Sequence, residues 1–203
     1  MRDYLSDVFA MLGPGGQHFA DPGAWTELEA EIGAEFPGDY KAIVDAYAPV
    51  QINEHLYLSH PATERWNLGE KIRETSRAWS ELDWDREDWL EPEENIRVVL
   101  GLEGVRFGTK DGLIPLTGTD RGEYVFLAPL PDGTGHRICA VEHDGSWYEY
   151  QMSFSEWLYR YLVGEDMVGP NSSAFYPGPV RLDPLPMSAE DRPARMYGPE
   201  QGM

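Results

Sequence analysis

The chain reads as an α+β domain. Three observations predict it: apolar residues recur at helical spacing over the first fifty residues, short alternating apolar runs separated by turn signals follow, and a strongly amphipathic segment with a capping signal closes the series before residue 164. The 203 residues suit one domain, and a composition 41% hydrophobic and 12% aromatic is enough to build its core.

Tyr4, Leu5, Val8, Phe9 and Leu12 predict an amphipathic helix that docks on the core. Asp21 followed by Pro22 reads as an N-cap with proline in the first turn. Trp25, Leu28, Ile32 and Phe36 then line one helical face, with Glu27, Glu29, Glu31 and Glu35 largely off it. Gly33 marks the end of that helix. Pro37 opens a second helix with an apolar face of Tyr40, Ile43, Val44 and Tyr47, so a tight Phe-Pro corner joins the two.

Residues 50–58 alternate imperfectly at Val50, Ile52, Leu56 and Leu58 and are expected to form a strand. Leu68, Ile72, Thr75 and Trp79 place a surface helix within 64–80. Residues 96–101 read as a buried strand, 105–109 as a second short one, and Asp111-Gly112 as a turn into Leu113–Leu116. A strand over 123–129 ends at Pro129 and Pro131. Asp144-Gly145 between two alternating runs is a hairpin signal. Ser153 and Glu156 form a capping box for a helix whose stripe is Phe154, Trp157, Leu158, Tyr161 and Leu162, with Gly164 as its C-cap. Helices, a run of mostly antiparallel strands and a closing helix together define α+β. Residues 165–203 carry seven prolines and little periodicity, so the expected organisation is one domain over 1–164 and a Pro-rich tail along the surface or partly disordered.

The net charge of −20, from 36 acids against 16 bases, argues against nucleic acid, because phosphate contacts need clustered Lys and Arg. It permits a basic protein partner steered by the summed field, although acidity also serves solubility alone. No run of about 18 apolar residues exists, so no membrane span is expected. The first ten residues hold two acids and no apolar stretch of a signal peptide, and Cys139 is the one cysteine; both point to the cytoplasm. Cys139 lies in an apolar alternating run and reads as a buried strand thiol.

Catalytic and metal-binding patterns are missing, so no cofactor is expected. His18, His55, His60, His136 and His143 show no zinc-type spacing, and neither a nucleophile elbow nor a phosphate loop occurs. Cys139 with His136 or His143 makes a poor thiol–base pair, because near neighbours on one strand are not brought together usefully. Asp83, Asp85, Glu87, Glu91 and Glu94 match a calcium loop at five positions, yet Asp88 stands where that loop needs Gly, and Pro92 interrupts it. The segment Trp79–Glu94, with eight acids, one base and three tryptophans, is the best candidate for a partner surface. Tryptophan anchors ringed by acids suit a basic partner, and the candidate contacts are Trp79, Asp83, Trp84, Asp85, Glu87, Asp88 and Trp89. The competing reading packs Trp79, Leu82 and Trp89 on the sheet and leaves the acids to water.

Trp25, Leu28, Glu29, Ile32, Gly33, Phe36, Pro37, Asp39, Tyr40, Lys41 and Tyr47 resemble the N-terminal signature of the SUKH superfamily, which includes the yeast Smi/Knr-type cell-wall regulators and many bacterial toxin-immunity proteins. Residues 113–123 resemble its central strand-and-turn segment, and 153–164 its closing helix, so the likeness spans roughly 20–164. Departures are Tyr47-Ala48-Pro49, where the family usually has Tyr-Gly, and a long 60–95 segment. The resemblance implies a sheet of about five or six strands with helices packed on one side. It implies a non-enzymatic protein that occludes a cognate toxin, often a nuclease; the alternative is a regulator or scaffold binding a cellular partner. It also implies that the motif residues hold the scaffold.

Overall fold

A computed structural model describes residues 2–82, 84, 91–92, 94–130, 135–173 and 178–200. The N-terminal part is helical: α1 (Tyr4–Leu12), α2 (Pro22–Ile32) and α3 (Gly38–Tyr47). Asp21 caps α2 by accepting from the N–H groups of Gly23 and Ala24, and Gly33 ends it at φ +77°, a left-handed geometry that suits glycine. Pro37 begins α3 without a side-chain cap.

β1 (Val50–Ile52) and β2 (Leu56–Leu58) follow. The single strand expected over 50–58 is a hairpin, because Asn53 and Glu54 both take left-handed backbone, at φ 51° and 60°, and reverse the chain within two residues. α4 (Leu68–Ser80) is capped by Asn67.

The buried strand expected over 96–101 is instead a helical turn, α5 (Ile96–Leu100). Asn95 caps it by accepting from the Arg97 N–H, Gly101 closes it in the left-handed region, and Ile96 and Leu100, four apart, face the core while Val98 is 62% exposed. A short apolar run does not distinguish helix from strand; these caps do. Residues 105–109 contribute only an isolated bridge between Phe107 and Leu113.

The central strands are β3 (Ile114–Thr119), β4 (Tyr124–Pro129), β5 (His136–Val141) and β6 (Trp147–Tyr150), before α6 (Phe154–Leu162). A register shift between Pro115 and Thr117 accommodates a proline, which cannot donate to the ladder. The Asp144-Gly145 hairpin and the Ser153 cap form as expected. Beyond Gly164 the chain adds β7 (Arg181–Pro184), paired with β1, and β8 (Met196–Tyr197), paired with β7. Two short pairings between prolines carry almost no periodic signal, which is why the sheet has more strands than expected. Its order is β6-β5-β4-β3-β2-β1-β7-β8, with every pairing between strands antiparallel.

Alternation along the central strands sends side chains to two faces. Val125, Leu127, Ile138 and Ala140 join the main core with α1, α2, α3 and α6. Phe126, Ala128, Cys139 and Val141 face a second, smaller core closed by Ile96, Leu100, Phe107 and Trp147. The fold is therefore α+β with helical layers on both faces, the second supplied by the chain between α4 and β3.

Candidate interaction surface

The Phe-Pro corner is held by hydrogen bonds as well as packing. Glu29 Oε1 accepts from the Phe36 N–H at 2.9 Å and from Lys41 Nζ at 2.8 Å. Trp25 Nε1 donates to Asp45 Oδ1 at 2.8 Å. The buried Tyr40 hydroxyl donates to Leu116 O at 2.8 Å, tying α3 to the central strand, and burial pushes its pKa up. Asp39 Oδ2 accepts from the Ser155 N–H at 2.7 Å, so α3 caps α6. Tyr47 donates to Gly13 O at 2.5 Å. Each contact consumes the polar group of a motif residue inside the scaffold, leaving little there for a partner.

Two histidines are buried beside carboxylates, which the sequence did not signal. His60 Nε2 lies 3.1 Å from Asp45 Oδ1 while Nδ1 accepts from the Ala62 N–H at 3.1 Å, so the ring is neutral. Burial lowers its pKa against the pull of Asp45. His55 has a carboxylate at each ring nitrogen: Asp120 contacts Nδ1, and Glu123 Oε2 stands 3.5 Å from Nε2. Burial disfavours the His55 cation, but Glu123 and Asp120 outweigh it and raise the pKa. Burial likewise opposes ionisation of Glu123, yet His55 and Thr119 lower its pKa overall. This cluster joins the β1–β2 and β3–β4 turns. Among the described residues no group of three His, Cys, Asp or Glu could hold a metal ion.

Cys139 is fully buried in β5, and burial pushes its thiol pKa up, the reverse of nucleophile activation. His136 is three residues away on the same strand, which sends it to the opposite face. His143 sits in an exposed turn, 3.1 Å from Asp144. The thiol–base pairing is therefore not assembled.

Of the candidate contacts, Trp79 and Trp84 are half-buried on the second core. Their rings stack at 5.8 Å and 15°, and Trp84 Nε1 donates to Trp79 O at 2.8 Å. Trp79 also meets Trp147 at 5.2 Å and Phe126 at 5.8 Å, both edge-on. Asp83, Asp85, Glu87, Asp88 and Trp89 lie outside the described residues. Leu82, 53% exposed, together with exposed Glu81 and Glu91, flanks them. The second face is locked by Arg137 of β5, whose Nη2 donates to Leu100 O at 2.6 Å while Nη1 pairs with Glu149 Oε1 at 2.9 Å. An acid-rich segment thus leaves α4 from an aromatic anchor fixed to the sheet.

These elements build a two-faced antiparallel sheet with a bracketed two-helix corner. Residues 20–160 match the SMI1/KNR4 family (SUKH-1), and the chain belongs to that family. No curated protein and no solved structure matches it. Among the described residues no helix is long and apolar enough to cross a membrane.

Proposed function

We propose that the chain is a non-enzymatic cytoplasmic binding protein, and specifically a bacterial immunity protein that neutralises a cognate toxin, often a nuclease, by covering it. The observation that carries this reading is the acid-rich segment 79–94 rooted by Trp79 and Trp84 in the second core. A rigid anchor lowers the entropy lost when a charged segment docks, and a net charge of −20 steers it to a basic groove of the kind a nuclease uses on nucleic acid. Trp89, Asp83, Asp85, Glu87 and Asp88 are the proposed contacts.

The test is a pull-down with a toxin domain encoded beside this gene, at roughly 0.05 M and 1 M salt. Capture that weakens at high salt supports the proposal. No capture at either concentration, or capture indifferent to salt, counts against it. A gene neighbourhood without a toxin favours the second reading, a regulator that binds a cellular protein.

A further inference from the structure

A cleft of about 670 Å³ opens beside β7. Gln51, Arg181 and Asp183 line it from the sheet, and Pro186, Arg192 and Arg195 from the chain that leaves β7. That chain is fixed at its start: Pro184 pairs with Val50, and the Leu185 N–H donates to Pro49 O at 3.1 Å.

The carboxylates around the cleft are already spent. Asp183 pairs with Arg181 at 2.7 Å, and Glu54 pairs with the same guanidinium. Asp191 accepts from the Met187 N–H at 2.6 Å, the Ser188 N–H at 3.0 Å and the Ser188 hydroxyl at 2.7 Å. Three arginines keep donors to give. Arg192 is exposed and, among the described residues, makes no hydrogen bond or ion pair. Arg65 is likewise exposed and unpaired, and its field reaches Asp191. Arg195, 54% exposed, stands 3.5 Å from Asp183 and 3.9 Å from Glu54, both of which meet Arg181 more closely. Guanidinium groups with unspent donors at a concave site suit a polyatomic oxyanion, which each can meet through two parallel hydrogen bonds.

An aromatic wall adjoins this rim. Trp66 Nε1 donates to Pro186 O at 3.2 Å, which sets the indole at the border of the cleft. Its ring lies parallel to that of Tyr57 at 6.2 Å and 8°, yet Trp66 is still 39% exposed. Trp66 holds φ +56°, in the left-handed region, where glycine or asparagine would make the turn at less cost. The turn alone therefore does not account for tryptophan. An indole held flat by a second ring and left accessible is a platform on which a nucleobase stacks.

We propose that this cleft binds a nucleoside phosphate, with Arg65, Arg192 and Arg195 on the phosphate oxygens and the base against Trp66. The volume is within the range of roughly 300–1,000 Å³ typical of small-molecule sites. A net charge of −20 weighs against a nucleic-acid strand, whose phosphates run on beyond the cleft, whereas one nucleotide stays within it. The site is separate from segment 79–94 and does not depend on the toxin reading.

The probes are ADP, inorganic phosphate and adenosine, each titrated into the full 203-residue chain. Arginine Nε–H and indole N–H resonances are followed, assigned with Arg65→Gln, Arg192→Gln, Arg195→Gln and Trp66→Phe. ADP is expected to shift the three arginines and Trp66, and phosphate to shift the arginines alone and bind more weakly. An Arg192→Gln/Arg195→Gln chain, checked for an unchanged melting temperature, is expected to lose at least about tenfold in affinity for ADP. Trp66→Ala, checked in the same way, is expected to lose about tenfold for ADP and nothing for phosphate. No arginine shift with ADP or phosphate at about 10 mM, or ADP affinity unchanged in the double arginine variant, overturns the proposal. Equal affinities for ADP and phosphate overturn the role of Trp66.

Discussion

Arg137 Nη1 lies 2.9 Å from Glu149 Oε1 with only 4% of the arginine side chain exposed, and the same guanidinium donates to the last carbonyl of α5. This pair clamps the second layer onto the sheet. Arg137→Ala removes the cation from a partly buried carboxylate, to which the Gln151 amide still donates, and strands Leu100 O, an expected loss of about 3 kcal/mol. Replacing Arg137 by Met and Glu149 by Leu together is expected to cost much less, because no charge is then stranded. Urea unfolding of the single and double variants measures both.

Two buried histidines set opposite pH slopes. His55 has a raised pKa, so its contribution is complete below its ordinary value of 6.5 and is lost as pH rises through the higher folded value. His60 has a lowered pKa, so it favours folding above 6.5 and costs stability as pH falls toward its folded value. His136, lowered by burial, acts in the same direction as His60. Glu123, lowered from 4.5, adds a further loss on acidification below that value. Stability is expected to peak near pH 6.5. Melting curves across pH should show the alkaline decline vanish in His55→Gln and the decline just below 6.5 shrink in His60→Gln.

Trp25 packs in the main core, but its indole N–H also bonds Asp45, the carboxylate that faces His60. Trp25→Phe keeps most of the ring and removes that donor. The expected cost is about 1–2 kcal/mol above pH 6.5 and less at acid pH, because Asp45, freed of that donor, holds the His60 proton better and relieves part of the acid penalty. Denaturant midpoints at two pH values read both effects.

Anchor and contacts of the acid-rich segment separate by mutation. Trp79→Ala opens a cavity among Trp84, Phe126 and Trp147 and is expected to cost about 3–5 kcal/mol. Neutralising Asp83, Asp85, Glu87 and Asp88 together is expected to change stability by under about 1 kcal/mol. The same change should slow association with a basic partner and flatten its salt dependence, read by stopped-flow fluorescence.

Much of this architecture is legible in the sequence, and the rest fails for specific reasons. α1, α2, α3, α4 and α6 follow from apolar spacing, helped by the caps Asp21 and Ser153, because local chemistry fixes those ends. Ile96–Leu100 misleads because five apolar-rich residues carry no period; the helix depends on Asn95 and Gly101 at its ends. β7 exists because Asn53 bonds the backbone of Arg181 from 128 residues away, a pairing no local window contains. A separation beyond any local window likewise hides the His55 cluster, assembled from two turns 65 residues apart. Trp79 and Trp84 illustrate a different limit: the residue type suggests an interface, and tertiary packing makes these two the root of the segment.

The most direct test of the account is hydrogen exchange of the full chain with and without a protein co-purified from its native cell. The account predicts new protection over residues 79–94, with the Phe-Pro corner unchanged. Protection at the corner, with none over 79–94, would contradict it.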